Sequence, residues 1–556
     1  LDNTSIENHF FHVTILIELS NILSVNLCFG KEYLMKQTYE KKYVSKIPQE
    51  YYPQESEAQY EALKGSAQLK EFAEYRQEMK DHPYMPSYHF WAPNGKINDP
   101  NGLCYWNGNY HLFYQAYPPN DPRQHWGHTV SSDMVHWKDL PLAIYPDIEY
   151  AVFSGSSLVE NDRVIAMYHG RGIGNMIATS HDPMLLNWEK NEHCPVIPLT
   201  PNSSDGRPYR VFDPFIWKED EGYYALSGCY YGEEEARHTG YNNKMVEHLF
   251  FSQDLSRWTY MGELTEDGFP QLELGNDGAC PYFWPIGTEG KYLLFHFSHR
   301  TGPHCLLGTY DKILHKFYPE KHMRFNFGPI GCSSYQAPCT TPDGKGGLYL
   351  IYNTTDANLT LTRQGCMTVM HHVIVNKKGY LNIEPVEALN SLHTSHFSCH
   401  SLNLAAFRET ILDVNGNALD IHLTLDLTSA RGLTLRVLRS PDGMEHTDIT
   451  VNRSRMRRGD SIVSEYYLIA DTTRSSLSPD AEGRNPEVMN IPDVEESHLD
   501  LRILVDRCMV EIFANGRITM MQMMYPSKDS TQVSLEALGG NITINSLDIW
   551  NMASIY

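Results

Sequence analysis

One local pattern returns five times along the middle of the chain, and a recurrence of this length constrains the architecture more than any single motif. Ser132-Asp133 leads to Trp137, Ser180-His181-Asp182 to Trp188, and Ser252-Gln253-Asp254 to Trp258; Tyr310 to Phe317 and Val375 to Leu381 are weaker copies. The copies share a polar turn followed by an aromatic residue at the start of the next strand. They stand roughly 50 to 70 residues apart, about the length of one four-stranded propeller blade. Five blades fit between His89 and Val386, a stretch of short strands divided by Gly, Pro, Asn and Asp. A propeller brings its innermost strands together around a channel, and a ligand binds at the channel's mouth.

The flanks read differently. Tyr60, Leu63, Leu69, Phe72, Tyr75 and Met79 fall mostly three or four residues apart with charges between them, which predicts one amphipathic helix over Glu55 to Lys80. After a transition at Glu387 to Ser401, long alternating strands take over at Leu419 to Leu427, Leu433 to Leu438, Leu499 to Phe513 and Ile542 to Trp550. That is the pattern of a β-sandwich. The expected fold is therefore all-β: an N-terminal, partly helical extension (1–87), a five-bladed β-propeller that carries the site (88–390), and a C-terminal β-sandwich that buttresses it (391–556).

Composition removes several function classes. Forty-five basic against 68 acidic side chains leave a net charge of -23, the wrong sign for a nucleic-acid partner. Phe10 to Ile17 and Ile22 to Phe29 are apolar but broken by Glu18, Ser20 and Asn21, too short for a membrane span. The 11 cysteines are odd in number, assign no disulfide and contain no CxxC pair; His371-His372 lacks metal-ligand spacing, so no metal is expected. Gly344 to Gly347 reads as a hairpin turn and not a phosphate loop. Sequons at Asn3, Asn202, Asn353, Asn358, Asn452 and Asn541 lean toward an extracellular location without fixing it. Self-association is left open.

The densest chemistry lies in Asn98-Asp99-Pro100-Asn101-Gly102, where one carboxylate stands among two side-chain amides. Pro100 biases Asp99 away from helix and Asn101-Gly102 tolerates positive φ, so a strand ending in a stiff turn is expected, with Asp99 near the turn's start. The tyrosine-rich strand Tyr110 to Gln115 follows. Asp99 is thus placed on the innermost strand of the first blade, at the channel mouth.

Further motifs follow in order: KINDPNG (Lys96 to Gly102), FYQAYP (Phe113 to Pro118), HWGH (His125 to His128), VFSGSS (Val152 to Ser157), Asp213-Pro214, ACP (Ala279 to Pro281) and LVDRCMVEIFANGR (Leu504 to Arg517). In this set the chain resembles glycoside hydrolase family 32, the invertases, inulinases, levanases and fructosyltransferases, over most of its length. The resemblance implies a five-bladed propeller followed by a β-sandwich. It implies that Asp99 is a nucleophile attacking the anomeric carbon of a fructosyl unit with retention of configuration, and that Asp213 holds sugar hydroxyls in the transition state. By the same mapping Asn98, Gln115, Trp126, Phe153 and Ser154 line the pocket. The implied partner is a fructosyl-containing oligo- or polysaccharide, with no metal or organic cofactor.

Two positions depart from the family pattern. The family's acid/base is a Glu directly before Cys-Pro, and here Ala279 stands before Cys280-Pro281. The family's Arg before the second Asp is Phe212, with Arg210 two positions upstream, where strand alternation turns it to the same face. Three explanations stand: an engineered acid/base knockout of an active enzyme, which leaves Phe212 unexplained; an enzyme with a relocated acid, for which Asp277 is the nearest candidate and Glu273 the next; or a noncatalytic carbohydrate-binding protein on the same scaffold. The expectation is a fructofuranosidase-type hydrolase for which plain sucrose is a poor substrate.

Overall fold

The computed structural model describes residues 39–200, 209–231, 242–287, 290–324, 334–354, 365–481, 485–495 and 497–556. The apolar stretches before Tyr39 and the sequons at Asn3, Asn202 and Asn358 lie outside the described residues.

The recurring motif is a turn, and it occupies the same place five times. In each of five successive antiparallel sheets it joins the third strand to the fourth. In the first sheet the Asp133 carboxylate accepts the backbone N–H of Val135 at 2.9 Å and of His136 at 2.8 Å. In the third, Asp254 accepts those of Ser256 and Arg257, both at 2.9 Å. Asp311 and Asn376 do the same in the fourth and fifth sheets. An acceptor two to four residues before the donors closes the turn locally, which is why an Asx residue recurs there. The following tryptophans seal it: the indole N–H of Trp188 donates to the Leu185 carbonyl at 2.8 Å and that of Trp258 to Leu255 at 3.0 Å.

The first strands of the five sheets are Lys96–Trp106, Val152–Val159, Pro214–Glu219, Ala279–Ile286 and Tyr335–Pro342. Each touches the next, and the fifth touches the first, so the sheets close into a ring with these strands innermost. The ring's apolar side chains, such as Phe215, Phe283 and Tyr352, are fully buried between sheets.

Two six-stranded sheets follow. Leu423, Ile503 and Ile549 from one and Leu435, Val451 and Leu535 from the other share a single apolar core. The expected run Leu499 to Phe513 is two strands, His498–Asp506 and Met509–Ala514, because the chain reverses at Arg507, whose φ is 55°. The fold is all-β with few helices, as the sequence predicts.

Glu55 to Lys80 departs from its reading as one helix. It forms α1 (Ser56–Leu63) and α2 (Ala67–Met79). Gly65 and Ser66 interrupt the periodicity; the Ser66 hydroxyl accepts the Leu69 N–H at 3.2 Å as a new N-cap. The Glu50 carboxylate accepts the Ala67 N–H at 2.9 Å and holds that first turn. From α2, Arg76 reaches Asp139 at 2.7 Å and lies 4.5 Å over the Trp91 ring.

A buried polar joint ties the start of the ring segment to one of the two six-stranded sheets. Asp506 accepts the backbone N–H groups of Ser87, Tyr88 and His89 at 2.7, 2.8 and 3.0 Å and contacts His89 Nδ1 at 2.9 Å. Glu511 lies 3.6 Å from both His89 and His371. Burial disfavours a charged His89, but the hydrogen bonds and charges of Asp506 and Glu511 outweigh it and raise its pKa to about 10. Burial likewise opposes ionisation of Glu511, and the two imidazoles outweigh it, holding the carboxyl at about 2.

Asn353 is fully buried, so its sequon carries no glycan in this fold; Asn541 is exposed. The nine described cysteines are free thiols. No helix among the described residues is long and apolar enough to cross a membrane.

Candidate active site

Asn98 to Gly102 does not end a strand. It lies inside Lys96–Trp106, the innermost strand of the first sheet, and bends that strand through register shifts between Ile97 and Pro100 and between Asn101 and Cys104. Pro100 supplies no N–H to the ladder, so local irregularity replaces the expected turn. Asn101 stabilises the bend: its amide donates to the Asp99 carbonyl at 2.8 Å, and its side-chain oxygen accepts the Gly155 N–H from the second sheet at 2.9 Å. Gly102 has φ +52°, and a Cβ there would stand 2.5 Å from the Ser157 hydroxyl. Only glycine suits that position.

The bend aims Asp99 into a cross-sheet network. Asp99 Oδ2 accepts the Ser154 hydroxyl at 2.5 Å and the Gln115 amide at 3.2 Å. Gln115 also donates to Ser154 at 2.7 Å and accepts from Asn98 at 3.1 Å. Asn353, from the fifth sheet, donates to Asn98 at 3.1 Å. Opposite, buried Asp213 begins the third sheet, and Cys280 lies between the two acids: its Sγ is 3.7 Å from Asp99 Oδ2 and 3.4 Å from Asp213 Oδ2. The Cys280 N–H also donates to Asp213 at 3.2 Å.

The electrostatics are those of carboxylates held in little water. Burial raises the Asp99 pKa, against the Ser154 hydrogen bond and the charge of His299. Burial pushes the Cys280 thiol well up, with Asp213 and Asp99 adding to the effect. Glu247, from the third strand of the third sheet, is buried, and neither of its oxygens has a hydrogen-bond partner among the described residues. Burial and then nearby Asp213 raise its pKa well above that of an ordinary glutamate, which favours the protonated form.

The sequence-derived residues divide into three groups. Asn98, Asp99, Gln115, Ser154 and Asp213 come together around Cys280. Phe153, Arg210 and Phe212 line an adjoining 210 Å³ cavity with His169, Arg171 and Tyr230. Phe212 packs edge-on to His169, ring centres 5.0 Å apart, and reaches the apolar cluster of Ala279, Cys280, Phe297 and Ala337. Trp126 is the one displaced from the expected pocket wall: it is fully buried and donates its indole N–H to the Phe153 carbonyl at 2.9 Å, backing the strand that carries Ser154.

Ala279 is buried and presents a methyl group to that apolar cluster. Of the two substitute acids, Glu273 is an exposed side chain paired to Arg324 at 3.4 Å. Asp277 is buried with both oxygens engaged by His299: Oδ1 accepts the His299 N–H at 3.0 Å and Oδ2 contacts Nδ1 at 2.6 Å. His299, Glu247, Cys280 and Asn353 are the members that sequence reasoning missed. A lone Glu in the apolar run Met245 to Phe251 was a readable signal for Glu247; the others come from distant sheets. Among the described residues no three His, Cys, Asp or Glu side chains are placed to hold a metal ion.

A buried carboxylate on an innermost strand, with a second acid on the far side of a thiol, suits attack on an acetal carbon, and comparison with known proteins gives the class as a glycoside hydrolase. Within it, the chain belongs to glycosyl hydrolases family 32: residues 89–373 match the family's N-terminal domain and residues 387–551 its C-terminal domain. It is 24% identical over 515 residues to a levanase of Bacillus subtilis, spanning 86% of this chain and 71% of the relative. To a sucrose-6-phosphate hydrolase of Zymomonas mobilis it is 25% identical over 515 residues, spanning 84% and 92%. Among solved structures, fructan 1-exohydrolase IIa from Cichorium intybus superposes with a TM-score of 0.72 at 19% identity, covering 85% of this chain and 98% of that one.

Proposed function

We propose that this chain is a retaining glycosidase of fructofuranosidase type, acting on β-fructosyl linkages of oligo- or polysaccharides. In this reading the ring of five sheets is a five-bladed propeller (88–390), the two six-stranded sheets are a supporting β-sandwich (391–556), and residues 1–87 are an extension. The observation that carries it is the hold on Asp99, whose Oδ2 receives Ser154 and Gln115 from neighbouring strands. Two donors fix the carboxylate's direction, as a nucleophile requires. Asp99 attacks the anomeric carbon, the glycosidic bond breaks, and water later displaces Asp99 from the face that the leaving group vacated, so that configuration is retained.

Asp213, Gln115 and Asn98 present acceptors and donors for ring hydroxyls. Phe212 adds an apolar wall where a charged donor would bind them, which favours a substrate with an apolar or stacked group there and makes plain sucrose a poor one. The test is product analysis after long incubation with sucrose, inulin, levan and an activated aryl fructofuranoside, comparing the wild-type protein with Asp99→Asn. Product that disappears in Asp99→Asn supports the reading; turnover that survives in Asp99→Asn contradicts it.

The burial of the Ala279 methyl in an apolar cluster supports a second reading, a fructan-binding protein without catalysis. It predicts saturable binding with no product, unchanged in kind by Asp99→Asn.

A further inference from the structure

If the site is catalytic, something other than residue 279 must move the proton. Three neighbouring groups are able to carry one. The Cys280 thiol is wedged between two carboxylates, and burial keeps its proton on sulfur. Glu247 is neutral but enclosed, its carboxyl pressed toward the backbone of Gly228 and Gly278. The third is the His299 imidazole, whose side chain is 29% exposed while its partner Asp277 is 2% exposed. It is the one group of the three that combines an accessible ring with a buried carboxylate behind it.

Its place is the right one. Ala279 pairs with Phe297 across the first two strands of the fourth sheet. Asp277 and His299 meet across the end of that pair, two residues beyond it on each side. Ala279 is beside Cys280, which touches both Asp99 and Asp213. His299 therefore caps the strand end from which the family's Glu would reach. The electrostatics agree, because the positive charge of His299 is among the influences that oppose the burial of Asp99.

We propose that His299, oriented through Nδ1 by Asp277, is the acid/base residue of this enzyme in place of the missing carboxyl group at position 279. The inference rests on the fructofuranosidase reading above. As Asp99 attacks, the pair of electrons in the glycosidic C–O bond passes to the leaving oxygen, which takes the proton from His299 Nε2. The neutral imidazole then removes a proton from water, whose oxygen attacks the same carbon. The ester C–O bond breaks, Asp99 regains its carboxylate, and His299 is again protonated. A carboxylate on Nδ1 fixes the ring and favours the imidazolium, as in hydrolases that use histidine. Among the described residues, the charged groups that act on this imidazole include Asp277 from the loop before the fourth sheet and Asp99 from the first. Arg300 adjoins it in sequence, and His296 lies behind Asp277 and is held neutral by burial, near pKa 3.

The test compares wild type, His299→Gln and Asp277→Asn on two substrates: the best natural fructoside of the panel, with a poor leaving group, and an activated aryl fructofuranoside. General acid catalysis is worth ~10²- to 10⁴-fold, so His299→Gln should lose that much kcat/KM on the natural fructoside and far less on the aryl one. Sodium azide, a nucleophile that needs no base, should speed aryl turnover in His299→Gln by forming the fructosyl azide. Asp277→Asn should show the same pattern, more weakly. A basic limb in the wild-type pH profile should vanish in His299→Gln. Equal losses on both substrates without azide rescue mean a structural role and overturn the proposal, as does undiminished activity in both variants. Should His299→Gln not fold, Asp277→Asn and the wild-type pH profile decide by the same criteria. Wild-type turnover that depends on Asp99 but not on His299 overturns this inference alone; no wild-type turnover on any substrate overturns it together with the reading it rests on.

Discussion

The buried carboxyl groups of the joint and those of the site are wired in opposite ways. At the joint, Asp506 and Glu511 are matched by histidines and backbone N–H groups, and Glu511 is held at about 2. At the inner strands of the ring, Asp99 and Asp213 flank a thiol with Glu247 near Asp213, and Asp99 and Glu247 are pushed up by burial. A carboxylate with its cation beside it stabilises a fold. A carboxyl group whose burial outweighs the groups that favour its charge costs stability, and it persists where it serves chemistry.

The largest effect should come from Asp99→Asn. Turnover should fall on the order of 10⁴-fold or more, while chemical denaturation shows stability unchanged or higher, because the mutation removes a charge that burial disfavours. A loss of stability comparable to its loss of activity would erase the distinction between the clusters. Asp506→Asn should do the reverse: removing one partner of a buried pair costs about 3 to 5 kcal/mol, with activity per folded molecule kept. Urea midpoints and active-site titration separate the two outcomes.

The pH dependence of stability sharpens the comparison. Glu511 has a depressed folded pKa, so its contribution is present above the ordinary glutamate range and is lost as pH falls toward about 2. His89 has a raised folded pKa, so its contribution is full below the ordinary histidine value and is lost as pH rises toward about 10. Stability measured by urea midpoints should therefore plateau between those ordinary values and fall on both sides. Asp506→Asn should flatten the alkaline limb, since it removes the main partner of His89.

Phe212→Arg restores a guanidinium directly before Asp213. Turnover of sucrose should rise roughly tenfold from a restored charge-assisted contact, and the acidic limb of the activity profile should move to lower pH as Asp99 ionises more readily. An unchanged profile would place the Phe212 side chain out of electrical reach of Asp99. The smallest effect is expected from Glu247→Gln. Exchanging a neutral acid for its amide should shift the urea midpoint by less than about 1 kcal/mol; a severe loss would mean that Glu247 is ionised and paired.

The turns were legible because their cause is local. An Asx acceptor and a tryptophan a few residues later close on themselves, so Asp133, Asp254 and Trp258 announced the sheets before any tertiary contact was known. Asp99 was legible through Pro100 and Gly102, although the local rule expected a turn where the ring imposes a bent strand. The break at Gly65-Ser66 was also in the sequence, and the apolar periodicity on either side masked it. Long-range partners were not legible. Asn353 lies 255 positions from the Asn98 it contacts, and His299 is 22 from Asp277; nothing local links either pair. Trp126 shows the same limit, since an aromatic in a motif reads alike whether it faces a sugar or, as here, backs a strand.

The most direct measurement is mass spectrometry of the protein rapidly quenched during turnover of an activated aryl fructofuranoside, followed by peptide mapping. A retaining enzyme whose nucleophile is Asp99 should carry one fructosyl group on the peptide containing Asp99, absent in Asp99→Asn and longer-lived in His299→Gln. Product formation with that peptide unlabelled at every quench time, or with the label on another carboxyl group, would contradict the account.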